Sequence, residues 1–302
     1  MKRAGFVSQI VALMIGGAVL QGASVAILDS SINTRAFFAA HYPNCNPSSN
    51  PPSRYLGADE YMRYFVGWTY VLSHPGSGPA IPYDIIHDAD VTDQTLSKYK
   101  LLILSNTANL SEDEQRTIRA WVIRGGRLLA TFGSGYKDTV SDPREIDDIK
   151  AAEGGTLGLH QMWHDPATKV FGSNPLNDGA GTDILITRYE GPTASLQGQL
   201  TNNLLPYGAE SNILVHRPED FHDTLGLVVL KNATLAHPTP AILVTQQAHG
   251  LVVYFAFAPE YLVSKEFNPA PLPFCFDPQN WTGRSAKGRI LMEGAVRYLL
   301  AN

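Results

Sequence analysis

An Asp, a Ser and a Glu follow apolar runs at positions where side chains could take part in catalysis. Asp29 ends the run "VAILD", Ser134 lies between glycines in "FGSG", and Glu260 follows a proline in "AFAPEY". A serine on a tight turn after a strand can present its hydroxyl as a nucleophile, and two carboxylates held a defined distance apart can hydrolyse a glycosidic bond. The same residues also suit capping and turn roles, which the sequence favours unless a base or a partner carboxylate lies nearby.

The segment "HQMWHDP" could support a different chemistry. It places His160, His164 and Asp165 at a spacing that would suit a metal ion if the segment were helical, and Trp163 could stack on the face of a sugar ring. A single cluster of this kind in a loop is more typical of a solvated segment around a partly buried tryptophan. We therefore predict no metal site and no cofactor.

Composition and charge limit the classes of protein to which this chain can belong. The 302 residues are 44% hydrophobic and 17% charged, which allows one large domain or two small ones with a real core. The formal net charge is -5, and the sequence contains no run of Lys or Arg. Because a nucleic-acid-binding protein would carry a basic patch, we predict no nucleic-acid partner.

Residues 1–24 have the pattern of an export signal. A basic start, "MKR", precedes the apolar stretch "AGFVSQIVALMIGGAVL", and "QGASVA" offers small residues for cleavage. The alternatives are a membrane anchor or a first helix of the fold, but polar residues and a glycine pair inside the apolar stretch weaken a spanning helix. We predict that residues 1–24 are removed and that the protein is secreted or periplasmic, with no membrane association after cleavage.

Export would allow the two cysteines to form a disulfide. Cys45 and Cys275 both lie in proline-rich loops, and an oxidising compartment would favour a disulfide between them. Two unpaired thiols are the alternative, because the sequence does not show whether the two Cα atoms come within bridging distance. The sequence also contains three N-glycosylation tripeptides, a pattern that often occurs by chance, at Asn109, Asn232 and Asn280.

Strand and helix patterns alternate after the export signal. Short apolar runs typical of buried parallel strands occur in "VAILDSS", "PYDIIHDADVT", "YKLLILSNTANL" and "RLLATFGSGY". The clearest helix is "SEDEQRTIRAWVIRGG", which begins with a capping box of Ser111 and Glu114 and ends at Gly125-Gly126. An earlier helix, in "GADEYMRYFVGWTYVL", carries aromatic and apolar residues at helical spacing: Tyr61, Phe65, Trp68 and Leu72.

The alternation loosens in a segment of about residues 140–235. Gly-, Asp- and Pro-rich stretches there separate "ILITRYEG", "NILVH" and "LGLVVLKN" with no helical pattern between them, which favours an antiparallel β-rich insertion. Two further strands joined near "QAHG" and a helix in "GRILMEGAVRYLLAN" complete the chain. The predicted fold class is α/β, with a doubly wound, mostly parallel, flavodoxin-like sheet and an antiparallel extension in the middle third, all in one domain over residues 25–302.

The segment "YKLLILSNTANLSEDEQRTIRAWVIRGGRLLATFGSGYKD" resembles the amidotransferase-like domain that follows the barrel in many bacterial β-galactosidases, the trimerisation domain. That family shows an apolar strand, a helix start, a Gly-Gly helix end, and a Ser-Gly turn followed by an acidic residue. The corresponding residues here are Leu101 to Leu104, Ser111-Glu112, Gly125-Gly126, Ser134-Gly135 and Asp138. The resemblance extends over Pro240 to Asn302 and implies a role in assembly or in carbohydrate handling.

The wider superfamily, the class I glutamine amidotransferases, uses a Cys in a Gly-x-Cys-x-Gly turn and a His-Pro-Glu sequence after a late strand. "AFAPEY" is similar to the second motif, but Ala258 stands where the histidine would be, followed by Pro259 and Glu260. The presumed nucleophile turn has Ser134 and no cysteine. Because the base and the thiolate are both missing, the resemblance implies that glutamine hydrolysis has been lost.

Such a fold keeps a concave edge where polar groups meet a ligand. The residues that we predict to line a pocket at this edge are Asp29, Ser30, Ser134, Tyr136 and Glu260, with Tyr261 or Trp163 as an apolar wall. The alternative is an edge filled by a loop or by a partner subunit.

The sequence thus predicts an exported, non-catalytic module. Its partner would be a carbohydrate or small-molecule ligand, another copy of the chain, or a partner enzyme. The alternative is a secreted hydrolase of glycosides, esters or peptides with a rebuilt site at the same edge, using Ser134 or the pair Asp29 and Glu260. A histidine within hydrogen-bond reach of Ser134 would favour the hydrolase, and the candidates are His41, His164 and His249.

Overall fold

A computed structural model describes these residues of the chain: 22–30, 34–35, 58–107, 109–131, 134, 137–138, 170–171, 182–207, 213–214, 224–230, 239–265 and 286–302. Several predictions fall on other residues and lie outside the described part: most of the export signal, Cys45, Cys275, Tyr136, the segment around Trp163, and the sequons at Asn232 and Asn280.

Thirteen strands and five α-helices are described. In chain order the strands are β1 (Val25–Asp29), β2 (Tyr83–His87), β3 (Leu101–Leu104), β4 (Asn109–Leu110), β5 (Arg127–Ala130), β6 (Lys137–Asp138), β7 (Val170–Phe171), β8 (Thr182–Ile186), β9 (Leu204–Pro206), β10 (Ile213–Leu214), β11 (Thr224–Leu230), β12 (Thr239–Gln247) and β13 (Gly250–Phe255). The helices are α1 (Ala58–Ser73), α2 (Asp93–Leu96), α3 (Glu112–Ile123), α4 (Pro259–Lys265) and α5 (Ala286–Ala301). Single turns of 3-10 helix lie at Asp88–Asp90, Gly191–Leu196 and Thr201–Asn203.

Nine of these strands form one mixed sheet in the order β2-β1-β3-β5-β13-β12-β11-β8-β9. The neighbours from β2 to β13 are parallel, and those from β13 to β9 are antiparallel. Two small sheets pair β10 with β7 and β4 with β6. The predicted fold class is therefore confirmed, and the antiparallel extension continues past the middle third of the chain, through β9, β11 and β12.

Burial on both faces explains why the sequences of the parallel strands are unbroken apolar runs. All residues of β3 and β13 are buried, because helices cover both faces of the sheet there. Apolar residues of α1, α4 and α5 form the core on one face, and those of α2 and α3 form the core on the other. The edge strand β2 is mostly exposed and includes Ile85, whose side chain is 46% exposed.

The helix α3 begins and ends as the sequence predicted. The Ser111 amide donates to Glu114 Oε2 at 2.6 Å, and the Glu114 amide donates to Ser111 Oγ at 3.3 Å, which completes the capping box. After the helix, Gly125 has a φ of 117°, a backbone conformation that favours glycine. The chain can therefore turn at once into β5.

The hairpin of β12 and β13 was also predicted correctly. Its turn contains Ala248 and His249, and Gly250 follows at the start of β13. A Cβ at Gly250 would lie 2.0 Å from the Val122 carbonyl oxygen, so only glycine fits. The turn places His249 at the amino end of β13, where its carbonyl accepts a hydrogen bond from Arg127 at 2.9 Å.

No helix within the described ranges is long and apolar enough to cross a membrane.

Candidate functional site

The carboxyl ends of β1, β3, β5 and β13 meet at one edge of the sheet, because these strands are parallel. The polar residues that follow them are almost all buried: Ser30, Ser105, Asn106, Thr107, Thr131, Ser134 and Glu260. Buried polar groups need hydrogen-bond partners, so the pairing of each group indicates what it can do chemically.

Glu260, in the first turn of α4, is completely buried and accepts three hydrogen bonds at one oxygen. Its Oε1 accepts from Trp68 Nε1 at 2.5 Å, from Ser105 Oγ at 2.9 Å and from Thr131 Oγ1 at 3.0 Å. The other oxygen, Oε2, is buried and has no hydrogen-bond partner. One face of the carboxyl group is thus fully satisfied, and the other contacts no donor.

Burial raises the pKa of Glu260 to about 7, because removal from water disfavours the charged form. The hydrogen bonds from the Glu260 backbone, Trp68, Ser105 and Thr131 act in the opposite direction. These neutral donors lower the pKa of Glu260 by less than the loss of hydration raises it. Near neutral pH this buried carboxyl group is therefore partly protonated.

Ser134 is fixed by the backbone of the turn after β3. Its hydroxyl donates to the Leu104 carbonyl at 2.9 Å and accepts from the Thr107 amide at 3.1 Å. The Ser134 amide in turn donates to the Thr131 carbonyl. The hydroxyl proton and a lone pair of Ser134 are therefore both used to hold two turns together.

The turn after β3 has an unusual backbone. Asn106 has a φ of 45°, which few non-glycine residues adopt, although asparagine tolerates it better than most. Its amide donates to Thr131 Oγ1 at 3.0 Å, which holds the turn beside the end of β5. The Asn106 Nδ2 and Thr107 Oγ1 atoms are buried and have no hydrogen-bond partner.

Carboxyl groups cluster at the ends of β1 and β2. Asp29 Oδ2 lies 3.6 Å from His87 Nδ1, and burial raises the pKa of Asp29 above its usual value. Burial also raises the pKa of Glu114 to about 7, and a hydrogen bond with Asp88 acts in the same direction. Burial therefore favours the neutral form of Asp29 and of Glu114 at this end of the sheet.

Ala258 lies where the resemblance places the catalytic histidine. It is completely buried, and its amide donates to the Tyr207 hydroxyl at 3.1 Å. The Tyr207 ring packs edge-on against Phe257, with ring centroids 5.0 Å apart. A methyl group and an aromatic contact therefore occupy the position of the expected base.

The structure brings some of the predicted site residues together. Ser134 and Glu260 both contact the turn at Ser105–Thr107, through Thr107 and Ser105 respectively. Asp29 contacts His87, and no described hydrogen bond or ion pair joins it to Glu260. Ser30 accepts from the Thr34 amide at 3.1 Å. Tyr261 lies in α4, next to Glu260 in the chain.

The described residues also answer part of the question about a base for Ser134. His249 lies at the amino end of β13, whereas Ser134 follows the carboxyl end of β5, so they occupy opposite edges of the sheet. His41 and His164 lie outside the described residues. Among the described residues, no group of three or more His, Cys, Asp or Glu side chains could hold a metal ion.

Sequence reasoning missed three residues of the Glu260 cluster. It assigned Trp68 to an apolar helix stripe, which is correct for the ring and omits the indole N–H. Ser105 and Thr131 each come directly after a buried apolar strand, and this position was the available signal. A buried indole N–H also needs a hydrogen-bond acceptor, so the sequence could have indicated that Trp68 donates to a buried polar group.

Two clefts in the described part of the chain lie away from this edge. One, of about 340 Å³, lies beside α5 and is lined by Arg188, Glu190, Gly191, Pro192, Leu225, Val244 and Tyr298. The other, of about 640 Å³, lies near the amino ends of the central strands and includes Lys98, Lys100, Trp121 and Arg124. Lys100 donates to the Leu300 carbonyl near the end of α5, and Arg124 donates to Asp93 Oδ1 at 2.6 Å, so both cations already have partners within the fold.

The sheet order and the helices on both faces define a flavodoxin-like α/β fold, as the residue pattern predicted. Solved structures with this fold include two that match most of the chain. A polyextremophilic β-galactosidase from the Antarctic haloarchaeon Halorubrum lacusprofundi is 13% identical, with a TM-score of 0.55 over 92% of this chain and 30% of that chain. A putative ThuA-like protein from Bacteroides uniformis is 11% identical, with a TM-score of 0.51 over 99% of this chain and 96% of that chain.

At these identities the likeness shows the fold alone. This chain spans 27 to 33% of the β-galactosidase chains that it matches. No protein-family model matches the chain, and no curated protein sequence is similar to it.

Proposed function

We propose that this chain is a non-catalytic, amidotransferase-like module of an exported protein that binds a ligand or assembles with other subunits in carbohydrate handling. One observation carries the proposal: the residues at the three expected catalytic positions are all used structurally. Ser134 joins two turns, Ala258 has no titratable group, and Glu260 is completely buried.

The contacts argue against each form of the hydrolase alternative. A serine nucleophile needs a base that removes its proton, and the Ser134 proton is donated to a backbone carbonyl. A glycosidase needs two carboxyl groups that flank the sugar. Glu260 is 0% exposed and therefore cannot contact a sugar in this conformation.

The link to carbohydrate rests on likeness. The fold is that of a domain within β-galactosidases, including the enzyme from Halorubrum lacusprofundi, and the residue pattern resembles their trimerisation domain. An ancestral assembly domain that lost its chemistry would keep a folded edge and its surfaces for subunits. Binding and assembly are therefore the functions to test.

The activity test measures ammonia release from glutamine, together with hydrolysis of nitrophenyl esters and nitrophenyl glycosides. We expect no turnover above buffer for the wild type, Ser134→Ala or Glu260→Gln. Saturable wild-type turnover that disappears in either variant would establish the hydrolase and overturn the proposal.

The assembly test measures the mass of the purified protein by sedimentation across a range of concentrations. A reversible or stable oligomer would support an assembly role, whereas a monomer would leave ligand binding as the function.

The export test sequences the N-terminus of the protein recovered outside the cytoplasm. We expect the mature chain to begin near Val25, and an intact Met1 in that fraction would contradict export.

A further inference from the structure

The cleft of about 340 Å³ beside α5 (the α5 cleft) is open to solvent and lies between elements of the antiparallel half of the fold. Leu225 and Val244 line it from β11 and β12, Tyr298 lines it from α5, and Gly191 and Pro192 line it from a turn of 3-10 helix. Cavities of about 300 to 1,000 Å³ are typical of sites for small molecules. The α5 cleft is therefore large enough to admit one small ligand.

Close packing fixes the walls of the α5 cleft. Gly191 has a φ of 50°, and a Cβ built there would lie 3.2 Å from Tyr298 Cε2, so the backbone of the turn lies directly against the ring. A Cβ at Gly294 would lie 2.7 Å from the Pro192 carbonyl oxygen, so α5 and the turn also meet at a second glycine. Walls that are already in place reduce the entropy that is lost when a ligand binds.

An irregularity in β11 places a charged side chain at this cleft. The register of β11 against β12 shifts between Thr224 and Gly226, as at a β-bulge, and Leu225 lies at the shift. The Leu225 carbonyl accepts hydrogen bonds from the amides of Thr187 and Arg188, at 2.9 and 3.3 Å. β-bulges commonly redirect the chain next to functional sites. Here the bulge holds Arg188, just after the end of β8, beside the α5 cleft.

The polar groups of the α5 cleft can be reached by a ligand. Arg188 and Glu190 form an ion pair, and their side chains are 47% and 52% exposed. Tyr298 is half-buried, and no residue of the described ranges hydrogen-bonds to its hydroxyl. Burial raises the pKa of Tyr298, and the charge of Glu190 acts in the same direction, so the hydroxyl stays protonated and can donate. Donors and an acceptor therefore lie beside apolar surface.

This combination suits a neutral sugar. A pyranose has an apolar C–H face that can pack on the Tyr298 ring and on Leu225 and Val244, and its hydroxyls both donate and accept hydrogen bonds. A charged ligand suits the cleft less well, because Glu190 would repel an anion and Arg188 would repel a cation. A hydroxyl can bond to either member of the ion pair without separating the two charges.

We propose that the α5 cleft binds a neutral pyranose sugar, with Tyr298 as its aromatic wall and with Arg188 and Glu190 as its hydrogen-bonding pair. This inference rests on the proposed function, because it names the ligand class and the site of the proposed binding module. It places recognition on the antiparallel half of the sheet, away from the buried groups Ser134 and Glu260.

The test is titration of the purified chain with D-galactose, D-glucose and D-mannose, monitored by calorimetry. D-galacturonate and D-galactosamine serve as charged comparators. We expect saturable binding of at least one neutral sugar and weaker binding of both charged compounds than of that sugar. The proposal is overturned if no neutral sugar binds saturably, or if a charged compound binds more tightly than every neutral one.

Variants of two residues test whether the sugar occupies the α5 cleft. Glu190→Gln keeps the shape of the side chain and removes its charge, so it should weaken binding about tenfold. Tyr298→Phe removes the hydroxyl and should weaken binding about three- to tenfold, whereas Tyr298→Ala removes the ring and should abolish saturable binding. If Tyr298→Ala fails to fold, the other two variants decide, because Glu190 is exposed and Tyr298→Phe keeps the ring.

Two matched controls lie elsewhere in the fold. Asp113→Asn removes an exposed carboxylate that pairs with Arg116 in α3, and Tyr99→Phe removes a tyrosine hydroxyl in the other cleft. Both should leave binding unchanged. If Tyr99→Phe weakens binding and Tyr298→Phe does not, the sugar lies in the other cleft and the proposal is overturned. It is also overturned if the Glu190 and Tyr298 variants bind as tightly as the wild type.

The proposed function can fail separately from this inference. Absence of sugar binding would leave a non-catalytic assembly role intact. Turnover of a glycoside would instead overturn the proposed function, and the affinities of the variants would still decide whether the sugar binds in the α5 cleft.

Discussion

Two buried glutamates on the same face of the sheet have opposite pKa shifts. Glu260, at the carboxyl edge, has a pKa raised to about 7. Glu293, on α5, is 1% exposed, and its pKa lies below the usual value. Burial alone therefore does not decide whether a carboxylate stays ionised, and the partners of each group must account for the difference.

Glu293 is surrounded by donors on both oxygens. Oε2 accepts from the amides of Gly76 and Ser77 at 2.7 and 3.2 Å, and Oε1 accepts from Ser77 Oγ and from Arg297 Nε, each at 2.7 Å. Burial by itself would raise its pKa, but these donors and the positive charge of Arg297 outweigh that effect. The ionised group joins the loop before β2 to the C-terminal helix.

Glu260 has neutral side-chain donors on one oxygen and none on the other. The comparison shows that a cation and donors on both oxygens are what make a buried carboxylate stabilising as an anion. Without them the group is most stable when protonated. Glu260 therefore changes its charge near neutral pH, whereas Glu293 remains an ionised structural contact.

The largest expected effect is the pH dependence that Glu260 adds to stability. Its folded pKa, about 7, exceeds the ordinary value of 4.5, so its stabilising contribution is fully present below pH 4.5 and is lost as the pH rises to about 7. Relative to Glu260→Gln, the wild type should lose about 3 kcal/mol of unfolding free energy over that interval. Urea unfolding of both proteins at several pH values measures this change.

Gln199→Ala is the control for the pH series, because this exposed side chain has no titratable group. Its stability difference from the wild type should stay constant with pH. If the difference between wild type and Glu260→Gln were also constant, the pKa of Glu260 would not be raised on folding, and the contrast with Glu293 would disappear.

The second effect is the loss of the Glu293 contacts. Glu293→Ala should destabilise the protein by about 2 kcal/mol at pH 7, because it removes hydrogen bonds to a charged acceptor while the amides of exposed Gly76 and Ser77 regain water. The loss should become smaller in acid, as the pH falls through the lowered pKa of Glu293. Glu190→Ala, which breaks an exposed ion pair, should change stability by less than about 0.5 kcal/mol.

Trp68→Phe tests one donor of Glu260. It should cost about 1 to 2 kcal/mol above pH 7, where Glu260 is ionised and the indole N–H stabilises the charge. The cost should be smaller at pH 5, where only the loss of ring volume remains. Thermal unfolding at pH 5 and pH 8 compares the two conditions, and equal losses would show that the indole bond does not depend on the charge of Glu260.

The smallest expected effect is at Thr107, whose buried hydroxyl has no hydrogen-bond partner. Thr107→Val should leave the unfolding free energy unchanged or raise it by up to about 1 kcal/mol, because it removes an unsatisfied polar atom. Ser105→Ala, which removes a donor to Glu260, should lower it. Denaturant midpoints measure both changes, and a clear destabilisation by Thr107→Val would mean that its hydroxyl contributes to the folded state.

Local sequence patterns were sufficient for several elements. The capping box of Ser111 and Glu114 begins α3, and the two strand patterns on either side of "QAHG" predict the hairpin of β12 and β13. Unbroken apolar runs identified the buried parallel strands, and the resemblance to an amidotransferase-like domain gave the sheet type. These features depend on residues a few positions apart, so the sequence contains the information directly.

The candidate site was less accessible to sequence reasoning. The pattern indicated that Glu260 and Ser134 follow strands, but it did not reveal their partners. Trp68 lies 192 positions from Glu260, and Ser77 lies 216 positions from Glu293. No local pattern specifies contacts at such separations, and apolar spacing alone made Trp68 appear to be an ordinary core residue.

The sequence by itself determined where the buried parallel strands and the clearest helices form, that Ser134 and Ala258 stand at the positions where the resembled superfamily has its Cys and His, and which polar residues end the parallel strands. Tertiary structure decided how those residues are paired. It placed Glu260 in a dry cluster without a cation and Glu293 beside Arg297, and it left Asn106 and Thr107 with unpaired atoms in the turn after β3. The reason is physical: secondary structure follows from local periodicity, whereas the charge state and pairing of a buried group depend on which distant residues surround it.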